Sequence, residues 1–320
     1  MRRRSESVRC TIPGTWKVAL LGAAVTMVLT SCVHRSPFVE EQYFQAMGAP
    51  GEIVVTVDTR APEKLPGSFS VQDGSFATLL SRIDRLSVSL YDPSGRAESD
   101  GVVQADELAA YEYYGGAEGN IPAFLTNSML LWDDAWEKIE EGKIRYYRNE
   151  WLGLDVYAPK NGLLLFASDN YMKAYETTYK NRTTRIPAAL ADRMAKSLFG
   201  FYVGSPKAMM EIGLAIPQSV LAQTDSMVLV IEEQEQKGMT LGGIVTMKSP
   251  KLANSLSILL KSSYISDKRR NKEPLGDLTN LFILEDDAVH INGMELSDEQ
   301  YAAFSTMFGS LAALTTGDKR

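Results

Sequence analysis

Only two histidines, His34 and His290, and two cysteines, Cys10 and Cys32, stand among the 320 residues. That supply narrows the available chemistry. A Ser-His-Asp relay needs a histidine that reaches a nucleophile and a carboxylate together. His34 lies beside Cys32, and His290 alternates with Val289 and Ile291 as an outward residue of a strand would. Zinc sites built from His and Cys need more ligands than these four can bring together. No P-loop, HExxH or GxSxG occurs. The run Glu285-Asp286-Asp287 offers oxygen donors for a hard cation. Its acids are consecutive rather than alternately spaced, however, and the flanks "FIL" and "VHING" read as two strands, so a hairpin turn is the better reading. A pair of carboxylates can hydrolyse a substrate without histidine, and with 40 Asp and Glu a hydrolase of that kind is the third-ranked expectation. The residues therefore predict no metal, no cofactor and no catalytic group.

Cys32 points elsewhere. It follows "VALLGAAVTMVL", Val18 to Leu29, an apolar run of 12 residues, well short of the roughly 20 needed to cross a bilayer as a helix. Arg2, Arg3, Arg4, Arg9 and Lys17 precede the run, which is the charge order of a secretory signal. The next residues, Leu29-Thr30-Ser31-Cys32, resemble the lipobox of bacterial lipoproteins. The resemblance implies cleavage between Ser31 and Cys32, with Cys32 lipidated as the first residue of the mature chain. An ordinary signal cut after Ser31 is the plainer alternative. The boundaries that follow are a signal peptide over 1–31 and a lipidated tether over 32–50. Cys10 would be discarded, which leaves no disulfide in the mature chain. Each buried methylene contributes about 0.8 kcal/mol, and attachment becomes stable with more than one chain. The two or three acyl chains implied by the resemblance would therefore hold the body without a spanning helix. Val33, where an Asp would imply inner-membrane retention, favours the outer membrane of a bacterial envelope.

Removal of the first 31 residues takes away five basic residues and one acid, so 28 Lys and Arg face 39 Asp and Glu and the net charge becomes −11. Such a charge argues against binding to nucleic acid and against a purely electrostatic grip on anionic lipid. The expected partners are membrane lipid, through the Cys32 acyl anchor, and an envelope protein or lipid ligand.

The elements that would position any site alternate in type. Strands are predicted at "EIVVTVD", "RLSVSLYD", "ELAAYEYYGG", "KIRYYRNE" and "LGLDVYAPKNGLLLFAS", with helices at "FATLLSRI" and at "IPAFLTNSMLLWDDAWEKI", which Asn120 and Pro122 open. The second half repeats this order, with strands at "SLFGFYVG", "SMVLVIEEQ", "MTLGGIVTMKS" and "NLFILEDDAVHINGMELS". Helices fall at "PKAMMEIGLAIPQSVLAQ" and "PKLANSLSILLKSSY". Pro122 and Pro250 open corresponding helices, and "SDNYMKAYETTY" parallels "SDEQYAAFSTMF". The predicted class is α+β: two tandem ferredoxin-like βαββαβ units, each a mainly antiparallel sheet with helices on one face. They would occupy 51–181 and 186–314, with "NRTTRIP" as connector and a tail over 315–320.

Three surface features remain. "DKRRNKEP", Asp267 to Pro274, reads as a basic loop. The aromatics Tyr111, Tyr113, Tyr114, Tyr146, Tyr147 and Trp151 could line a groove, although cross-strand packing explains them more simply. Leu252, Leu256, Leu259, Leu260 and Tyr264 form a stripe that packs on a sheet or, with Arg269 and Arg270 nearby, contacts lipid or a partner. The plan is loosely similar to spirochaetal outer-membrane lipoproteins that join an α/β body to membrane-active amphipathic helices. The first expectation is a non-enzymatic binding, scaffold or envelope-interaction module on a lipid anchor. A lipid-binding or membrane-perturbing protein comes second.

Overall fold

Every residue of the strand β1 (Ile53–Asp58) is buried, so both of its faces are covered and it lies inside a sheet rather than at an edge. This holds in a computed structural model that describes residues 53–60, 82–91, 111–142, 144–168, 186, 188–204, 218–235, 238–275 and 278–302. The predicted signal peptide, the tether, Ser31, Cys32, the C-terminal tail, "AMMEIGLAI" and both "SD" echoes beyond Ala302 or Ser168 lie outside the described residues, as do most of "FATLLSRI" and of the connector.

In chain order β1 is followed by β2 (Ile83–Tyr91), β3 (Glu112–Gly119), helix α1 (Ala123–Trp132), β4 (Glu137–Glu141), β5 (Ile144–Asn149), β6 (Leu154–Lys160) and β7 (Leu163–Ala167). Then come α2 (Ala188–Lys196), β8 (Phe199–Val203), the short α3 (Gln218–Leu221), β9 (Thr224–Gln234), β10 (Gly238–Met247), α4 (Pro250–Arg270), the short α5 (Leu278–Leu281), β11 (Phe282–Glu285) and β12 (Ala288–Glu295).

All 12 strands join one sheet in the order β11-β12-β10-β9-β8-β1-β2-β3-β7-β6-β5-β4. Each neighbouring pair is antiparallel. The chain is α+β as expected, but the pairing differs from the βαββαβ plan. Ferredoxin-like crossovers place strands side by side in parallel, whereas here β1, β2 and β3 run as an antiparallel meander and so do β8, β9 and β10. The expected sheets are also continuous, joined where β1 pairs with β8 through Ile53↔Val203, Val55↔Phe201 and Val57↔Phe199. Hydrophobic periodicity locates strands; it does not say which neighbour each will choose.

One face of the sheet packs Ile53, Val55, Val57, Phe199, Phe201, Leu229 and Ile291 beneath α4, which inserts Leu256, Leu260 and Tyr264. Ser249 caps α4 by accepting a hydrogen bond from the Leu252 amide at 3.4 Å, and Pro250 opens the first turn. Lys268, Arg269 and Arg270 end the helix, where cations suit its dipole. The segment expected as a basic loop from Asp267 is therefore helical up to Arg270. Beside α1, Ala117, Ile121, Val156, Ala158 and Leu164 form a smaller cluster. Leu164 and Phe166 are two apart on β7 and share a face, and Phe166 borders both clusters. Hence α1 and α4, the helices opened by Pro122 and Pro250, cover the same side of the sheet.

The opposite face buries Val54, Tyr202, Val228 and Val230 under Leu190, Ala191 and Met194 of α2, a helix the strand-and-turn reading passes over. The helix expected to run through Ile139 ends at Trp132, with Asp133 already extended. Residues from Glu137 form β4, where Ile139 pairs with Tyr146. Two carboxylates at a helix C-terminus oppose its dipole, so the helix stops before them.

Candidate functional site

The stripe expected to meet lipid or a partner lies in the core. Leu256, Leu260 and Tyr264 are buried, while Leu252 and Leu259 are half-buried. Tyr264 meets Phe282 edge-on at 6.1 Å between ring centroids, and the Lys268 ammonium stands 5.6 Å from the Tyr264 ring centre. Lys268 is itself buried and donates to Glu273 at 2.6 Å and to Glu295. Burial alone would lower the lysine, but these two hydrogen bonds outweigh it and raise its pKa, so the ammonium stays charged. This ion cluster fixes the C-terminal end of α4 to β12 and keeps the stripe facing inward. Arg269 and Arg270 are exposed, with Arg270 donating to Asp267 at 3.0 Å. The structure does not bring them together with the stripe on one surface.

Cross-strand packing also explains the tyrosines, while Trp151 stands exposed. Tyr113 faces Phe166 at 6.4 Å on one side of the sheet, and Tyr114 and Tyr146 enter the core on the other. Tyr146 donates to Glu141 at 3.0 Å, and burial, reinforced by that bond, pushes its phenol up to about 12. Glu285-Asp286-Asp287 forms the β11–β12 turn, with Asp286 at φ 50°. His290 Nε2 lies 3.3 Å from the Glu285 carboxylate across that hairpin. Among the described residues no group of three or more His, Cys, Asp and Glu is placed to hold a metal.

Sequence reasoning missed the surface that stands out, which is α1. Its ten residues, "AFLTNSMLLW", include no charge and bury no side chain. Phe124 is 79% exposed, Met129 67% and Trp132 80%, with Leu125 and Leu131 also exposed. Only Ala123 and Leu130 pack on the cluster beneath, and polar clamping completes the hold. The Asn127 amide donates to the Ala158 carbonyl at 2.8 Å and accepts from the Ala158 amide at 3.1 Å, as a neighbouring strand would. Asn161 accepts the Ala123 N–H at 2.9 Å, closing one of the free donors at the helix start. Ala123, Asn127 and Leu130 recur at helical spacing toward the sheet, so the larger apolar side chains are turned to the outside. The signal in the sequence was an uncharged run with its single amide in the middle, whereas α4 displays a tidier stripe and attracted the reading.

Near the loop that ends at β6, Trp151 is 90% exposed and Leu152 is exposed as well. Ala123 is bonded to Asn161 and Asn127 to Ala158, so α1 runs back along β6 toward the end that Trp151 and Leu152 precede. Soluble proteins seldom leave apolar patches of this kind uncovered without a binding role. No helix among the described residues is long and apolar enough to cross a membrane.

No protein-family model matches the chain, and no curated protein matches it in sequence. Solved structures do. Crystal form I of TP0453 superposes with a TM-score of 0.50 at 13% identity, over 82% of this chain and 96% of that one. The chain shares its fold with TP0453. Crystal form IV of TP0453 gives the same TM-score, 0.50, at 12% identity over 83% of this chain and 96% of that one. At such identity the likeness concerns the path of the backbone and carries no residue roles.

Proposed function

We propose that the chain is a lipid-anchored, non-enzymatic protein of the bacterial cell envelope, attached through Cys32, with a sheet body that presents α1 as its binding surface. The observation that carries this reading is the outward apolar face of α1, held by Asn127 at some cost in exposed hydrophobic area. A body that needed only to fold would bury Phe124 and Trp132. The likeness in fold to TP0453 is compatible with an envelope module, and the charge of the mature part keeps it off nucleic acid. A second reading, lipid binding by the same helix, is favoured by its exposed Phe124, Met129 and Trp132. The outer membrane is the proposed location.

The expected result of Cys32→Ala is release. The unaltered chain should remain with membranes through high-salt and carbonate washes, and the variant should move to the soluble fraction. Retention of the variant with the membrane would overturn anchoring through that cysteine.

We also propose that the two halves, about 51–181 and 186–314, are duplicated units. From the β1/β8 seam outward the strand order runs β1-β2-β3-β7-β6 on one side and β8-β9-β10-β12-β11 on the other, with α1 and α4 in matching places and β4-β5 as an addition.

A further inference from the structure

The residues around α1 carry more negative charge than ending the helix requires, a role that Asp133 fills by itself, its Oδ1 accepting the Ala135 N–H at 3.0 Å. Between Ala123 and Glu137 there is no basic residue, whereas Asp133 and Asp134 follow directly on Trp132 and, like Glu137, are exposed. Glu150, exposed too, stands before Trp151. The next basic side chain, Lys138, is already engaged with Glu140 at 2.6 Å. Carboxylates at the C-terminal end of a helix meet the negative end of its dipole and cost about 0.3–1 kcal/mol there. A sequence selected only for stability would place Lys or Arg at that point, as α4 does with Lys268, Arg269 and Arg270. Local conflicts of this sort mark places that serve binding.

The geometry points to a protein partner with an apolar groove rimmed by Lys and Arg, which receives Phe124, Met129 and Trp132 on its floor and pairs with Asp133, Asp134 and Glu137 at its edge. This rests on the reading of α1 as the binding surface and names the chemistry of what it binds. Aromatic anchors surrounded by charge are the usual composition of an interface centre and its rim. Charge complementarity decides among occupants. A second copy of the chain would bring the same acids against these. An anionic bilayer would repel them, because the helix has no Lys or Arg to reach the headgroups. A basic rim satisfies them, and complementary charge speeds the encounter.

The test uses the full chain with only Cys32→Ala, free of detergent, and a synthetic amphipathic peptide with leucines on one face and lysines on the other. Trp132 and Trp151 report binding by fluorescence. Binding of this peptide should be about tenfold tighter than that of the counterpart with glutamate in place of lysine, and should weaken steeply with added salt. Phe124→Ser with Trp132→Ser, and separately Asp133→Asn with Asp134→Asn, should each weaken it by about tenfold. Both pairs are on the surface, and unchanged thermal unfolding would show that the fold is intact. Equal affinity of either pair of variants, or of the glutamate peptide, would overturn the proposal. So would tighter binding of the protein, through Phe124 and Trp132, to phosphatidylcholine vesicles, or concentration-dependent self-association lost in the Phe124→Ser, Trp132→Ser variant. Retention of Cys32→Ala in membranes counts against the anchor alone, so the two failures are read separately.

Discussion

Replacing Arg85 with methionine should destabilise the fold by about 3–5 kcal/mol, the usual cost of removing one partner from a buried charge cluster. Arg85 is 5% exposed. Its Nη1 donates to Thr56 Oγ1 at 3.0 Å and to the Met194 carbonyl at 3.2 Å, and its Nη2 donates to the Ser197 carbonyl at 2.7 Å. Asp58 lies 3.5 Å away. One guanidinium thus ties β2 to β1 and closes the C-terminal end of α2, where the last carbonyls lack helical partners. Burial pushes the guanidinium down to about 10, with the Asp58 charge opposing the shift, so it remains charged at neutral pH. Burial would also raise Asp58, but hydrogen bonds from the Arg60 side chain and backbone, helped by the charge of Arg85, hold its carboxyl below its ordinary value. In the methionine variant the Ser197 carbonyl loses the Arg85 donor, the Met194 carbonyl keeps only the Ser197 hydroxyl at 3.0 Å, and Asp58 keeps Arg60 as its cation among the described residues. Urea unfolding at pH 7 measures the loss, and a change under about 1 kcal/mol would show that the cluster does not secure α2.

Phe201→Ala is expected to have an effect of similar size, about 3–5 kcal/mol. The ring is 1% exposed and sits at the middle of the sheet, where β8 pairs with Val55 of β1 on one side and Leu229 of β9 on the other. Neighbours on both strands are fixed by the ladder, so the site cannot collapse around the missing ring and a cavity remains. The same truncation at an edge strand would be absorbed more easily. Among the described residues the seam is the one junction through which the halves share a sheet, so the loss should appear in both halves together, as loss of amide protection on β2 and on β9. Protection lost on one side only would mean that the halves unfold separately.

Much of the sheet was legible because its strands are apolar or alternating runs bounded by turns. "EIVVTVD" became β1, and "LGLDVYAPKNGLLLFAS" folded at Asn161-Gly162 into β6 and β7, with Gly162 at φ 87°. Pairing was not legible, since β1 with β8 joins residues about 150 positions apart and nothing local selects that partner. The direction in which α4 faces was not legible for a related reason. A stripe such as Leu252 to Tyr264 has the same spacing whether it faces a sheet or a bilayer, and the ion cluster at Lys268 that turns it inward draws on Glu295 of another element. For α1 the deciding contact is likewise remote: Asn127 to Ala158, 31 residues on.

The most direct test of the account is the hydration of Trp132. In the full chain with Cys32→Ala and with Trp16, Trp136 and Trp151 changed to phenylalanine, Trp132 is the sole indole. An outward α1 predicts the red-shifted emission of an indole in water and quenching by acrylamide close to that of the free amino acid, in keeping with its 80% exposure. Blue-shifted emission with little quenching in dilute, monomeric protein would mean that α1 turns its apolar face into the molecule and would contradict the account.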